Sequence, residues 1–211
     1  MAIAETGNLQ AAYARHAGQR GFVLDESQQH AIDRLQHLYD DLLQSEAYSK
    51  RLWHKLFSKN RNVRGVYLWG GVGRGKSFLM DVFFASVPLE RKKRVHFHRF
   101  MREVHAELDT IKHHPDPLAV VARRIAQKAR LICLDEFHVG DIADAMLLGR
   151  LLRELLKRGV VLVATSNHPP DELYKHGLQH NRFLPVIALL KERLDVVEVD
   201  GGTDYRLLAL E

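Results

Sequence analysis

The clearest chemistry in the sequence belongs to residues 70–77, which read GGVGRGKS. They match the spacing G-x-x-x-x-G-K-[ST], in which glycines let successive backbone N–H groups point at phosphate oxygens without side-chain clash. In this pattern Lys76 reaches the β- and γ-phosphates, and the hydroxyl of Ser77 is a ligand of Mg²⁺. We call this segment the phosphate loop, and it predicts a bound nucleoside triphosphate with Mg²⁺. The residues expected to contact the nucleotide are Gly70, Gly71, Val72, Gly73, Arg74, Gly75, Lys76, Ser77 and Phe78.

The residues on either side of the phosphate loop fit the same interpretation. An apolar run at 66–69 is typical of a buried strand, and helical spacing follows from Lys76 until Pro88 stops it. The N-terminus of that helix adds unpaired amides and a partial positive charge at the phosphate position. The alternative is a chance glycine-rich turn, and the strand–loop–helix context favours the phosphate loop.

Two carboxylates end a second apolar run. Residues 131–134 read LICL and are followed by Asp135 and Glu136, and we predict a strand over 131–135. We expect Asp135 to hold the metal ion, usually through a water molecule. We expect Glu136 to polarise the attacking water as general base or orienting group, which indicates hydrolysis rather than transfer to a substrate hydroxyl. The alternative is a surface Asp-Glu pair that caps the next helix.

A third apolar run ends in a polar side chain. Residues 160–165 read VVLVAT, typical of a strand covered on both faces, and Asn167 follows two positions later. We expect Asn167 to hydrogen-bond the attacking water or the γ-phosphate, between the phosphate loop and the acidic pair. Because Pro169 and Pro170 come next, a helix N-cap is the alternative role for Asn167.

The elements that position these residues alternate between strand and helix, which predicts an α/β fold with a parallel sheet layered between helices. Further strands are predicted at 95–98 and 195–199, and further helices at 101–111, 118–130, 142–157 and 171–190. The region before residue 60 is different, with a helical pattern at 27–43 and an apolar, Trp-containing patch at 52–57. We therefore predict an N-terminal helical arm over 1–60 and the nucleotide-binding core over 61–211.

The composition restricts which class of protein this chain can belong to, but it does not identify the binding partner. Hydrophobic residues make up 46% and charged residues 27% of the 211, and no apolar stretch approaches the ~20 residues that cross a bilayer. The N-terminus lacks a secretory pattern and Cys133 is the single cysteine, so we expect a cytoplasmic protein. The net charge of +5 is compatible with nucleic acid. The basic cluster at 91–94 is expected to be a solvated loop rather than a phosphate-backbone contact.

Several segments together resemble the AAA+ superfamily of oligomeric ATPases and, more closely, the ZapE-like family of cell-division ATPases with its mitochondrial relatives. The segments are GGVGRGKSFLMDVFF, RVHFHRFM, CLDEF, DAMLLG, LVATSNHPPDELY, GLQHNRFLP and DYRL. The resemblance runs from about residue 21 to the C-terminus. It implies a three-layer P-loop NTPase fold of the AAA+ type with sheet order 5-1-4-3-2. Family members continue beyond the position of Glu211, so we expect the helical lid domain and its arginine to be absent from this chain.

The resemblance also implies roles for residues that spacing alone leaves unassigned. AAA+ domains present an arginine to the neighbouring subunit between the fourth and fifth strands, and Arg182 has that position. Arg193 is the second candidate, and a surface arginine paired with a nearby acid is the alternative. His98 corresponds to a polar residue that restrains the catalytic glutamate, so a contact with Glu136 is expected.

Two further patterns have plain structural interpretations. His96, His98 and His105 are close in sequence, but no cysteine or carboxylate completes a zinc ligand set around them. Cys133 lies inside an apolar run and is expected to behave as a small hydrophobic residue. The stripe formed by Phe78, Leu79, Val82 and Phe83 is expected to be core.

The resemblance implies a function as well as a fold. It implies ATP as the nucleotide, with adenine contacts expected from 25–30, and an oligomeric ATPase that regulates or remodels a protein partner, the division-ring protein FtsZ. As a shortened chain the protein is expected to be monomeric. A helicase-loader type of ATPase acting on nucleic acid is the alternative, because it shares the same loop, acidic strand and asparagine. A small-molecule phosphotransferase is disfavoured by Glu136.

Overall fold

A computed structural model of the protein describes residues 8–19, 24–50 and 63–200, with the backbone alone for 46–50. The helices are α1 (Leu9–Gln19), α2 (Glu26–Lys50), α3 (Lys76–Ser86), α4 (Phe97–Thr110), α5 (Pro117–Lys128), α6 (Ile142–Lys157) and α7 (His180–Arg193). The strands are β1 (Gly65–Trp69), β2 (Lys92–His96), β3 (Leu131–Asp135), β4 (Val161–Ser166) and β5 (Leu194–Glu198). The predicted patch at 52–57 lies outside the described residues.

The strands form one parallel sheet with the order β2-β3-β4-β1-β5. This is the order that the AAA+ resemblance implies, counted from the other edge. β3 and β4 lie inside the sheet and every residue of both is buried, which explains their almost continuous apolar composition. The parallel sheet and its order are therefore confirmed.

Helices cover both faces of the sheet. Ile132 and Leu134 of β3 pack in a core with α4, α5, α6 and α7, whereas Leu131 and Cys133 pack in a second core with α1, α2 and α3. Successive residues of a strand point to opposite faces, so one strand serves both cores. The result is the predicted three-layer arrangement. The second core also contains the predicted stripe of Phe78, Leu79, Val82 and Phe83.

The position of β2 differs from the prediction. The strand runs Lys92–His96 instead of 95–98, and α4 begins at Phe97, so His98 is a helical residue. Three residues of the basic cluster at 91–94 are thus part of the sheet, and the prediction of a solvated loop is wrong for them. β2 is an edge strand, where long charged side chains can extend beyond the sheet to reach polar partners.

The partners of these basic side chains explain why the edge strand accepts them. The ammonium of Lys92 donates hydrogen bonds to the carbonyls of Phe84 (2.5 Å) and Val87 (2.6 Å) at the end of α3. Lys93 forms an ion pair with Glu103 of α4. Each charge is therefore satisfied by a neighbouring helix.

The N-terminal region contains more helix than the sequence pattern predicts. α2 extends to both sides of the predicted 27–43, and α1 was not predicted. Tyr13 of α1 is fully buried, and its hydroxyl donates to the carbonyl of Leu79 in α3 at 2.6 Å. Both helices therefore pack on the same face of the sheet as the helix that follows the phosphate loop.

The segment between β4 and β5 is simpler than predicted. A single 3-10 turn, Pro170–Glu172, precedes α7, which continues to Arg193 and leads directly into β5. α6 agrees with the prediction at both ends, and Gly159 after it has a φ of 78°. Within the described ranges, no helix combines the length and the apolar character that crossing a membrane requires.

Candidate functional site

The phosphate loop connects the end of β1 to the start of α3, as predicted. Gly70 has a φ of 152°, and a Cβ there would lie 2.2 Å from the carbonyl oxygen of Val199. Gly75 has a φ of 88°, and a Cβ there would lie 2.7 Å from Nε2 of Gln28. At Gly70 both the backbone conformation and the neighbouring backbone exclude a larger residue, whereas at Gly75 the positive φ alone favours glycine, because the Gln28 side chain can move.

Lys76 occupies the interior of this loop. Its ammonium donates to the carbonyls of Gly70 (2.7 Å) and Gly71 (2.6 Å), and the residue is only 8% exposed. Burial lowers the pKa of Lys76, and Asp200 partly offsets this because a carboxylate favours the charged ammonium. Ser77, the next residue, is exposed at the N-terminus of α3. The loop thus holds the Lys76 ammonium in a fixed position beside the exposed Ser77 hydroxyl.

Two side chains for which no supporting role was predicted, Gln28 and Asp200, contact the loop, and Gln28 lies in the segment 25–30 that was expected to contact adenine. Gln28 of α2 is fully buried and donates from Nε2 to the carbonyl of Arg74 at 3.2 Å. Asp200, which follows β5, forms an ion pair with Arg74, and its Oδ1 lies 3.0 Å from Nε of the arginine. The two groups are not aligned for a hydrogen bond. A polar residue on the buried side of the predicted helix at 27–43 was the available signal for Gln28.

Asp135 lies at the carboxyl end of β3 and is 7% exposed. Arg94 of β2 donates to both of its carboxylate oxygens, from Nε to Oδ2 at 2.7 Å and from Nη2 to Oδ1 at 3.3 Å. The third guanidinium nitrogen, Nη1, donates to Asp81 of α3. Burial disfavours the charged guanidinium, but these hydrogen bonds leave the pKa of Arg94 raised overall. Sequence reasoning missed Arg94 because it assigned the residue to a loop.

Glu136 follows Asp135 and turns out of the sheet. Its φ is 54°, a left-handed conformation that costs a non-glycine residue about 1–2 kcal/mol. The side-chain oxygen of Thr165 accepts from its backbone N–H at 3.1 Å and fixes the turn. Oε2 of Glu136 lies 3.7 Å from Nδ1 of His96. The histidine with a described contact to Glu136 is therefore His96, whereas His98 was expected, because β2 ends two residues earlier than predicted.

A cavity of about 520 Å³ opens at this end of the sheet. Glu136, Asn167 and His98 all line it, so the structure brings these three predicted residues together. Asn167 is exposed, and the residue that precedes the 3-10 turn is Pro169 rather than Asn167. The other lining residues are Phe97, Phe137, His138, Gly140, Asp141, Asp144, Ser166 and His168.

Arg182 lies in the first turn of α7 and does not line this cavity. Its side chain is exposed, and it makes no ion pair within the part of the chain that the structure describes. Leu178 and Leu184 flank it in sequence and are 73% and 47% exposed. Arg193, the second candidate, lies at the other end of α7 and is half-buried.

The oxygen ligands available at the site fit Mg²⁺. A hard divalent cation prefers carboxylate and hydroxyl oxygens, which Asp135 and Ser77 supply. Asp81 is one helical turn after Ser77, and its link through Arg94 to Asp135 places that end of α3 beside the carboxylate. His105 is hydrogen-bonded to Asp144 at 2.8 Å, and in the described ranges no three metal-ligating side chains cluster.

Comparison with known proteins agrees with this geometry. The family model of the AFG1-like ATPases matches residues 8–211. Cell division protein ZapE of Escherichia coli K12 is 50% identical in an alignment of 197 positions that covers 88% of this chain and 52% of that protein. The chain thus spans about half the length of this relative.

Solved structures show the same fold at low sequence identity. The DnaI structure has a TM-score of 0.60 at 16% identity, covering 94% of this chain and 92% of that one. The DnaC helicase loader has a TM-score of 0.56 at 10% identity, covering 92% and 97%. The family model covers nearly the whole chain, so the protein belongs to the AFG1-like ATPase family.

Proposed function

We propose that this chain binds ATP with Mg²⁺ at the phosphate loop and hydrolyses the bond between the β- and γ-phosphates. The observation that supports this most is the position of Lys76, a buried ammonium bonded to two loop carbonyls at the N-terminus of α3. A fixed cation and unpaired helix amides together form an anion site. Triphosphate oxygens are stronger hydrogen-bond acceptors than the loop carbonyls and would take over the ammonium.

The metal-binding role falls to Ser77 and Asp135 in this proposal. Ser77 is exposed beside Lys76, and Asp135 presents a buried carboxylate from β3. Mg²⁺ bound there neutralises charge on the β- and γ-phosphate oxygens. Asp135 is held in orientation by Arg94, which donates to both of its carboxylate oxygens.

Hydrolysis itself is assigned to Glu136 and Asn167. The Glu136 carboxylate accepts a proton from a water molecule, whose oxygen then forms a bond to the γ-phosphorus. The bond from that phosphorus to the bridging oxygen breaks, and ADP leaves with the electron pair. Both residues line the same cavity, so the amide of Asn167 is available to orient the water.

The test of this activity is Glu136→Gln. The amide fills the same space but cannot accept a proton, so we expect turnover to fall by about 10²-fold or more while ATP affinity changes less than twofold. Single-turnover hydrolysis of radiolabelled ATP and titration of a fluorescent ATP analogue measure the two quantities. Glu172→Gln is the matched control, since Glu172 is also an exposed acid near a histidine, His168, at 3.9 Å. Turnover within twofold of the parent would remove Glu136 from the mechanism.

We also propose that Arg182 completes the site of a neighbouring subunit in an oligomer. Its exposed guanidinium and the exposed Leu178 and Leu184 suit a surface that a second copy of the chain covers. The γ-phosphate gains negative charge on its outer oxygens during transfer, and an arginine from outside can neutralise it.

For the partner we propose a protein of the division ring, FtsZ, because the similar E. coli protein carries the name cell division protein. Stimulation of ATP hydrolysis by polymerised FtsZ and by single-stranded DNA, measured side by side on one preparation, tests this. Stimulation by FtsZ alone is the expected result. Stimulation by DNA alone would favour a helicase-loader role instead, and would leave the assignment of ATP hydrolysis standing.

A further inference from the structure

Arg94 joins two acidic side chains from different elements at the candidate metal position. We infer that Arg94 is a positioning residue that orients Asp135 and keeps divalent cations out of the site until a nucleotide brings one in. The inference rests on the proposed function, because it takes Asp135 as the metal-binding carboxylate. It goes beyond that function by explaining why a metal-binding acid is bonded to an arginine.

The register of the sheet places Arg94 for this role. Arg94 is paired with Cys133, and His96 is paired with Asp135, so all four side chains belong to the face that α3 covers. A guanidinium that starts two residues before the end of β2 therefore reaches along the face to the carboxylate of Asp135. It forms a two-point contact there, through Nε and Nη2. Two-point contacts fix a carboxylate in orientation as well as in position.

The charges explain how Arg94 controls the metal. Asp81 and Asp135 carry two negative charges, and Arg94 contributes one positive charge between them. Without the arginine, the carboxylates of Asp81 in α3 and Asp135 in β3 would face each other near the exposed hydroxyl of Ser77. Such a group of oxygen ligands attracts a free divalent cation. With the arginine, the net charge of the group is −1 and the cation meets a fixed positive neighbour.

Arg94 does not prevent Asp135 from serving a metal that arrives with ATP. An ionised carboxylate has about four lone-pair positions, and the arginine occupies two of them. The remaining positions can accept hydrogen bonds from water molecules of a hydrated cation. Triphosphate oxygens supply the negative charge that the group lacks. The metal site is therefore complete only when the nucleotide is present.

The experiment measures binding of Mn²⁺, a paramagnetic substitute for Mg²⁺, by electron paramagnetic resonance in the absence of nucleotide. We expect Arg94→Gln to bind Mn²⁺ at least about tenfold more tightly than the parent chain, since a nearby opposing charge has been removed. The double variant Arg94→Gln with Asp135→Asn should return to the affinity of the parent. Arg64→Gln is the matched control, because Arg64 also pairs with an aspartate, Asp195 at 2.9 Å, near the opposite ends of the strands. It should leave Mn²⁺ binding unchanged.

Several outcomes overturn the inference. Unchanged Mn²⁺ affinity in folded Arg94→Gln does so, and so does tight binding that survives Asp135→Asn. If Arg94→Gln does not fold, Arg94→Lys decides. An ammonium keeps the positive charge but cannot bridge both aspartates as the guanidinium does, so one carboxylate is left for the cation and Mn²⁺ affinity should rise about threefold. No increase there also overturns the inference.

A second titration separates this inference from the proposed function. A fluorescent ATP analogue is titrated into the parent chain with and without Mn²⁺. If Mn²⁺ strengthens nucleotide binding and Asp135→Asn abolishes that effect, the proposed metal site stands even where Arg94→Gln fails. If Mn²⁺ has no effect on the parent chain, the metal assignment of Asp135 itself is wrong.

Discussion

Lys76 and Asp135 carry opposite charges at the same end of the sheet, and the protein holds them in different ways. Lys76 is bound by carbonyls of Gly70 and Gly71, six and five residues earlier in the chain. Asp135 is bound by Arg94, which is 41 residues away in sequence. The cationic half of the site is therefore built from one continuous segment, whereas the acidic half is assembled from separate strands and helices.

This difference has consequences for stability as well as for prediction. A loop that satisfies its own cation needs little from the rest of the fold beyond a strand before it and a helix after it. A buried carboxylate paired with a distant arginine loses its partner when either strand moves, and an unpaired buried charge is costly. We therefore expect changes in the cationic half to alter nucleotide affinity, and changes in the acidic half to alter metal binding and folding together.

The largest expected effect on the rate of ATP hydrolysis comes from Arg182, which belongs to neither half of the site. Arg182→Ala should lower turnover by about 10³-fold or more, because the outer γ-phosphate oxygens lose their cation, and should leave ATP affinity nearly unchanged. Steady-state hydrolysis in an oligomer-forming preparation measures the first quantity and analogue titration the second. Arg193→Ala, changed at the other end of α7, is the comparison variant.

Mixing two inactive variants tests whether Arg182 acts on a neighbouring subunit. Arg182→Ala mixed with Lys76→Ala should regain part of the activity, since each lacks a different side of the shared site. If the mixture is as inactive as its components while oligomers form, action between subunits is wrong for Arg182. Rescue with Arg193→Ala in its place would transfer the role to Arg193.

A smaller loss, in affinity, is expected from the cationic half. Lys76→Ala should weaken binding of a fluorescent ATP analogue by about 100-fold, because hydrogen bonds to charged groups contribute about 1.5–3 kcal/mol each. Lys92→Ala is the matched control, since the Lys92 ammonium is also bonded to two main-chain carbonyls, at 2.5 and 2.6 Å. It should lower the melting temperature and leave analogue affinity within twofold. Equal affinity in Lys76→Ala and the parent chain would contradict the phosphate-loop assignment.

The cationic half could be predicted from the sequence because all of its determinants are adjacent in the chain. The glycines at 70 and 75, Lys76 and the flanking strand and helix follow one pattern, and the structure places each element where the pattern predicts. β3 and α6 were predicted to the residue, since apolar runs and a glycine stop define them locally.

The acidic half could be predicted only in part. Asp135 and Glu136 were identified, but the partners of both were not, because Arg94 and His96 reach them across strands. A run of basic residues is usually exposed to solvent, so its composition predicted a surface loop. Only the packing of β2 against α3 and α4 shows that these charges are paired. α1 was missed for a related reason, since its buried residues include alanines that give a weak apolar signal. The order of the strands came from the family resemblance and not from periodicity.

The smallest expected effect is on the affinity for the ATP analogue, and it tests whether the conformation of the phosphate loop depends on the N-terminal helices. Gln28 of α2 donates to the carbonyl of Arg74 and lies against Gly75, so the helical arm touches the loop at a buried position. Gln28→Leu keeps most of the volume and removes this hydrogen bond, which is worth about 1 kcal/mol, together with the one that Oε1 accepts from the N–H of Asp25 before the helix. A loop that is no longer held in its binding conformation must be ordered by the ligand, so we expect ATP-analogue affinity to fall about fivefold.

The matched control for this variant is the next residue in the same helix. Gln29 is exposed, and its amide contacts Asp33 at 3.2 Å, so Gln29→Leu changes the same chemistry without touching the loop. We expect analogue affinity to stay within 1.5-fold in Gln29→Leu, and the ratio between the two variants isolates the contact with the loop. A lower melting temperature in Gln28→Leu with unchanged affinity would mean that the arm only stabilises the fold. In that case the phosphate loop is organised by its own residues alone, and the difference between the two halves is larger than the structure suggests.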